Sequence, residues 1–156
     1  MDFSKYPRLD LPDGHLRLSR DSVGRICVWD RLRRRNVVLT PEEWVRQHFV
    51  AMLSECRGYT LSSMANEVTL NVNNTTRRCD TVVFDSSRRP VMVVEYKAAD
   101  VRITQSVFDQ IARYNMVLGA RYMVVTNGIS TFCCGYDIAA GTYSFLPDLP
   151  DSDDLK

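Results

Sequence analysis

Short apolar runs and two longer stretches of helical period alternate along the chain, and they lay out an order of elements. Residues 25–30 and 36–39 read as a strand hairpin around the basic turn Arg31-Leu32-Arg33-Arg34-Arg35. From Thr40 the period changes. Val45, Phe49, Met52, Leu53 and Cys56 form a helical stripe, with Thr40 as N-cap, Pro41 at the first helical position and Gly58 as the stop. On that wheel Glu42 lies near the stripe and Glu43 points away. Residues 67–72 alternate as a strand, and Asn73-Asn74 opens a bend into strands over 78–84 and 91–97. A second helix follows, capped by Thr104 and ended by Gly119, then strands over 121–126, 131–136 and 142–146, with Asn127-Gly128 as a hairpin signal. Residues 1–24 are turn-rich and expected to form an irregular arm. Residues 148–156 make an acidic tail expected to fray. Between them, 25–147 reads as one α/β (α+β) domain, a mixed central sheet flanked by helices in the core order αβββαβ.

Two of these strands carry candidate chemistry. The apolar run Val91-Met92-Val93-Val94 ends in Glu95-Tyr96-Lys97. Residues i and i+2 of a strand share a face, so Glu95 and Lys97 leave the sheet together. The turn Asp85-Ser86-Ser87-Arg88-Arg89-Pro90 suits an antiparallel return from the preceding strand. Pairing Phe84 with Val91 and Val83 with Met92 then sets Asp80 opposite Glu95. Opposed side chains have Cβ atoms roughly 4.5–5.5 Å apart. Two carboxylates that close repel unless a proton or a cation separates them, and a hard divalent ion suits oxygen ligands. A slip of one residue would undo the pairing.

Asp80 followed by Glu95-x-Lys97 on the next strand resembles the PD-(D/E)xK nuclease core. Gln110-Ile111-Ala112-Arg113-Tyr114 on the second helix resembles the Gln-x-x-x-Tyr motif of type I restriction endonuclease R subunits. Leu39-Thr40-Pro41-Glu42-Glu43-Trp44-Val45-Arg46-Gln47 is similar to the first helix of small bacterial R-subunit N-terminal domains. The resemblance spans residues 25–147. It implies a restriction-endonuclease-like fold and Mg²⁺-dependent hydrolysis of DNA, with Mn²⁺ as substitute and no nucleotide cofactor. Asp80, Glu95 and the Tyr96 carbonyl would hold the metal. Lys97 would orient or deprotonate water, or stabilise developing charge. Gln110 would order the substrate or metal shell, Tyr114 would brace it or contact the DNA strand, and Glu42 would be the first-helix acid, with Glu43 in reserve. Arg77, Arg78, Arg113 and Tyr114 would bind nucleic acid. The implied partners are DNA, motor, specificity or modification subunits, and a second copy in a homodimer. Cys79 replaces the family's Pro, which ligates nothing. The tail run Asp154-Leu155-Lys156 fits the same acid-x-Lys pattern without a strand to support it.

Composition sharpens the choice. Of 20 basic residues only Lys5, Lys97 and Lys156 are lysine. Arg is a fixed-charge fork and Lys a compact charge whose pKa can shift, so one interior Lys beside a strand Glu suggests chemistry. Net charge is +1 with the tail at −3, which leaves +4 elsewhere and weakly favours an anionic partner. Five cysteines without metal-ligand spacing, no signal segment and no apolar run of membrane length point to a cytoplasmic, reduced protein with no membrane contact. No Gly-x-x-x-x-Gly-Lys-Ser/Thr occurs, so the chain carries no ATP-driven motor of its own. Each residue also has a plain structural use: an exposed ion pair for Glu95 and Lys97, helix-dipole complements for Glu42 and Glu43, solvated turns for the arginine clusters. The rival reading is accordingly a non-catalytic nucleic-acid-binding or assembly module that keeps the nuclease fold.

Overall fold

The computed structural model describes residues 3–137 and 139–155. Lys156, which closes the tail's acid-x-Lys run, lies outside them. Three strands, β1 (Leu18–Arg20), β2 (Ile26–Asp30) and β3 (Arg35–Val38), make a small antiparallel sheet. Helix α1 (Pro41–Cys56) follows. It starts where expected because Thr40 is extended and its hydroxyl accepts from Glu43 N–H (3.0 Å). Then come β4 (Met64–Val72), β5 (Thr75–Phe84), β6 (Pro90–Tyr96), α2 (Gln105–Leu118), β7 (Tyr122–Thr126), β8 (Thr131–Asp137) and β9 (Thr142–Leu146). Those six strands form one sheet in sequence order, parallel only between β6 and β7, where α2 makes the crossover. The fold is α+β, a mixed sheet with its helices packed on opposite faces.

Each face of the sheet has its own core. Val45, Phe49 and Leu53 of α1 pack with Met92, Val94 and Tyr96, while Phe108, Ile111 and Tyr114 of α2 pack with Val82, Val93 and Val125. The neighbours Cys133 and Cys134 fall into different clusters, as strand alternation requires. All five cysteines are free, and Cys56 alone is exposed.

Several expectations need correcting. The N-terminal arm is tied down: β1 pairs with β2, Leu9 is buried, and Trp44 Nε1 donates to the Pro7 carbonyl (2.9 Å). The acidic tail is folded back rather than frayed. Arg57 bridges Asp148 (2.8 Å) and Asp151 (3.1 Å), and the buried Tyr59 hydroxyl donates to Pro150 O (2.7 Å). Thr104 occupies the N-cap position of α2, but its hydroxyl pairs with Ser106 instead of capping. Gly119 ends α2 as expected, in the left-handed conformation (φ 68°) that glycine adopts without steric penalty.

Candidate functional site

The β5–β6 register runs Thr81↔Val94, Val82↔Val93, Val83↔Met92. One step beyond Thr81↔Val94 stand Asp80 and Glu95, in the opposition that the alternation predicts. The expected Phe84↔Val91 pair is replaced by Phe84↔Pro90, because an irregularity after Val83 absorbs a residue at the turn end. That slip stays local: Asp85 ties the turn by accepting from Ser87 N (2.8 Å) and Arg89 N (2.9 Å).

At the other end of the pair the ionisable groups meet. Lys97 Nζ lies 3.9 Å from Glu95 Oε1, both side chains mostly shielded from solvent. Asp80 and Glu95 stand close enough to perturb each other's ionisation, and a proton between two such carboxyls relieves their repulsion. Burial first, and then the charge of Asp80, push Glu95 up to about 8; Lys97 pulls the other way and Glu42 adds to the rise. Asp80 is also raised, by burial, against the opposing pull of Tyr96 N–H and Arg46. Both shifts favour one proton held by the pair.

Asp80 is held from two sides. Its Oδ2 accepts from Tyr96 N–H (2.9 Å) and its Oδ1 from Arg46 Nη2 (3.2 Å). Arg46 is 3% exposed and also reaches Glu43 (3.1 Å) and Glu67 (2.7 Å). Glu67 sits at φ 58°, between the paired positions Asn66↔Thr81 and Val68↔Cys79, and binds Arg78 as well (2.6 Å). Glu43 takes a further bond from Arg33 (2.6 Å) and one from Gln47 (2.8 Å). Arg33 in turn pairs with the fully buried Asp30, whose carboxylate also accepts from Asn66 (3.0 Å). Burial opposes ionisation of Asp30, yet the bonds from Arg33 N–H, Asn66 and the Arg33 guanidinium hold its pKa below the usual carboxylate range. Five carboxyls thus face four cationic side chains (Arg33, Arg46, Arg78 and Lys97) across one network. With Glu95 raised to about 8, the other four carboxyls balance the four cations near neutral pH.

Glu42 and Glu43 exchange the places read from the wheel. Glu43 is buried in the network, whereas Glu42 is exposed, though near enough to raise Glu95. The wheel fails because α1 is buried on a much wider arc than its apolar stripe, taking in Arg46, Gln47 and His48. The arginine turn is likewise not wholly solvated: Arg31 pairs with Glu55 (2.7 Å) and Arg33 enters the network. Arg77 and Arg78 part company. Arg78 turns to Glu67, while Arg77 lines a groove of about 760 Å³ with Asn73, Gln110, Arg113 and Tyr114. Gln110 donates to the Tyr114 hydroxyl (2.7 Å), one helical turn on. Gln110, Arg113 and Tyr114 therefore belong to the groove beside β5.

Metal ligation can be judged from the donors present. Asp80 and Glu95 offer adjacent hard oxygens, and the Tyr96 carbonyl follows directly on the chain. No group of three His, Cys, Asp or Glu side chains forms a ready cage among the described residues. Mg²⁺ commonly uses one or two carboxylates plus water and phosphate, so the pair fits it.

The fold and site define an α+β domain with two carboxyls and a lysine gathered where β6 ends beside the middle of β5. Residues 41–150 match the family model described as Type I restriction enzyme R protein N terminus (HSDR_N), and the chain belongs to that family. It is similar in fold to a fragment structure from Vibrio vulnificus YJ016, assigned as an HsdR subunit of a type I restriction enzyme. That likeness has a TM-score of 0.56 at 21% identity and covers 75% of this chain but 24% of the other. No curated protein matches the chain. No helix of the described residues is long and apolar enough to cross a membrane.

Proposed function

We propose that this domain is a divalent-metal-dependent nuclease that hydrolyses DNA phosphodiester bonds as the cutting part of a type I restriction system. The observation that carries the reading is the convergence of Asp80, Glu95 and Lys97 at one end of the β5–β6 ladder. Asp80, Glu95 and the Tyr96 carbonyl would hold Mg²⁺, which when bound supplies charge neutralisation and a more acidic water. Lys97 stands beside the pair, where it can hold a phosphate oxygen or orient the attacking water. Exposed Arg77 and Arg113 would receive the neighbouring backbone phosphates in their groove. The domain would act in the cytoplasm, where its free cysteines are stable, and alongside motor, specificity and modification subunits outside this chain.

One observation favours a second reading, a nucleic-acid-binding module without catalysis. Both Asp80 oxygens already have partners, and the raised pKa of Glu95 lets a proton relieve the pair where a metal otherwise would. Nicking of supercoiled plasmid separates the two. The nuclease reading predicts nicks in Mg²⁺ or Mn²⁺, none in EDTA, and a fall of about a hundredfold or more in Asp80→Asn and Lys97→Ala. DNA binding without nicks in either metal would support the second reading.

A further inference from the structure

Arg46 is absent from the acid-acid-lysine pattern, yet it touches more of the site than any residue in it. One terminal nitrogen reaches Glu43 and Glu67, and the other reaches Asp80. Its guanidinium carbon lies 5.6 Å from the centroid of the Tyr96 ring. Tyr96 N–H closes the loop by donating to the second Asp80 oxygen. Arg46, Asp80 and Tyr96 thus form a triangle that includes two of the three suggested metal-ligand positions. The arrangement is built at a cost. Glu67 reaches Arg46 from a left-handed backbone that a non-glycine residue adopts only under constraint, and Arg46 Nε is buried with no hydrogen-bond partner.

We propose that Arg46 is a positioning residue for metal capture, and that Glu67 holds it in place: the fork fixes Asp80 against the Tyr96 main chain so that both present oxygens to one divalent ion. This rests on the metal-site reading above and adds a claim with its own sign. A guanidinium beside a cation site repels the cation, so if Arg46 were only a counter-charge, removing it would tighten metal binding. Positioning predicts the reverse, because partners that orient metal ligands commonly cost 10–100-fold in affinity when lost.

The test is calorimetric titration of the apo protein with Mn²⁺ alone, with no DNA and no activity readout. Arg46→Lys keeps the charge and loses the fork, and Arg46→Gln loses both. The proposal expects a dissociation constant about tenfold or more higher for each. A smaller rise is expected for Glu67→Gln, which keeps the fork and serves where an Arg46 variant does not fold. Unchanged affinity in Arg46→Lys with tighter binding in Arg46→Gln would overturn it, as would unchanged affinity in Glu67→Gln. Asp80→Asn separates the two levels. If wild type binds Mn²⁺ and Asp80→Asn does not, the metal site stands whatever Arg46 does. If wild type binds none, the metal-site reading and this proposal fail together.

Discussion

Glu95 bears much of the cost of the site. Burial and the neighbouring Asp80 move it from 4.5 to about 8, so between those values the folded protein holds a proton that the unfolded chain has released. Stability from this residue is therefore present below about pH 4.5 and lost as pH rises toward 8. Asp30 has the opposite sign: its lowered pKa adds stability that disappears on acidification. Glu95→Gln keeps the shape and removes the titration. Its unfolding temperature should exceed that of wild type in alkaline buffer and converge with it in acid. An offset that does not vary with pH would contradict the pKa assignment. Glu95 and Lys97 could be picked out in the sequence because strand alternation alone places them. Arg46 could not, since its tie to Asp80 crosses 34 positions and only packing creates it. Glu67 gave no signal either, because nothing in Asn66-Glu67-Val68 announces a positive φ.

Among the elements, α1 links the small sheet to the site. The Thr40 cap fixes the first turn, and from that turn Glu43 reaches Arg33 on one side and Arg46 on the other. Thr40→Ala should lower unfolding free energy by about 1 kcal/mol, read from the urea midpoint. An unchanged midpoint would mean that the tertiary network alone sets the helix start. The β5–β6 hairpin was readable because a long polar turn separates two apolar runs and fixes their register over three pairs. Its bulge was not, since an extra residue at Phe84/Pro90 leaves the pattern on either side intact. Helix α1 misled for a physical reason. A helix covered by a sheet, a hairpin and an N-terminal arm buries polar residues that a wheel assigns to solvent.

At the scale of the whole molecule, the sheet separates two apolar cores and gathers the charged network where β6 ends beside the middle of β5. The order and class of the elements followed from hydrophobic period and turn residues. The attachment of the N-terminal arm at Pro7 and of the acidic segment at Asp148 did not, because it depends on long-range partners such as Arg57 with Asp148 and Trp44 with Pro7. The carboxyls and cations of that corner balance when Glu95 carries a proton, so a divalent ion bound there would have to replace that proton. Anomalous scattering from a Mn²⁺-soaked crystal tests this most directly. The nuclease account predicts a peak roughly 2.0–2.3 Å from carboxylate oxygens of both Asp80 and Glu95, with the Tyr96 carbonyl in the same shell. A peak confined to the acidic tail, or no peak while Asp80 stays bonded to Arg46, would contradict it.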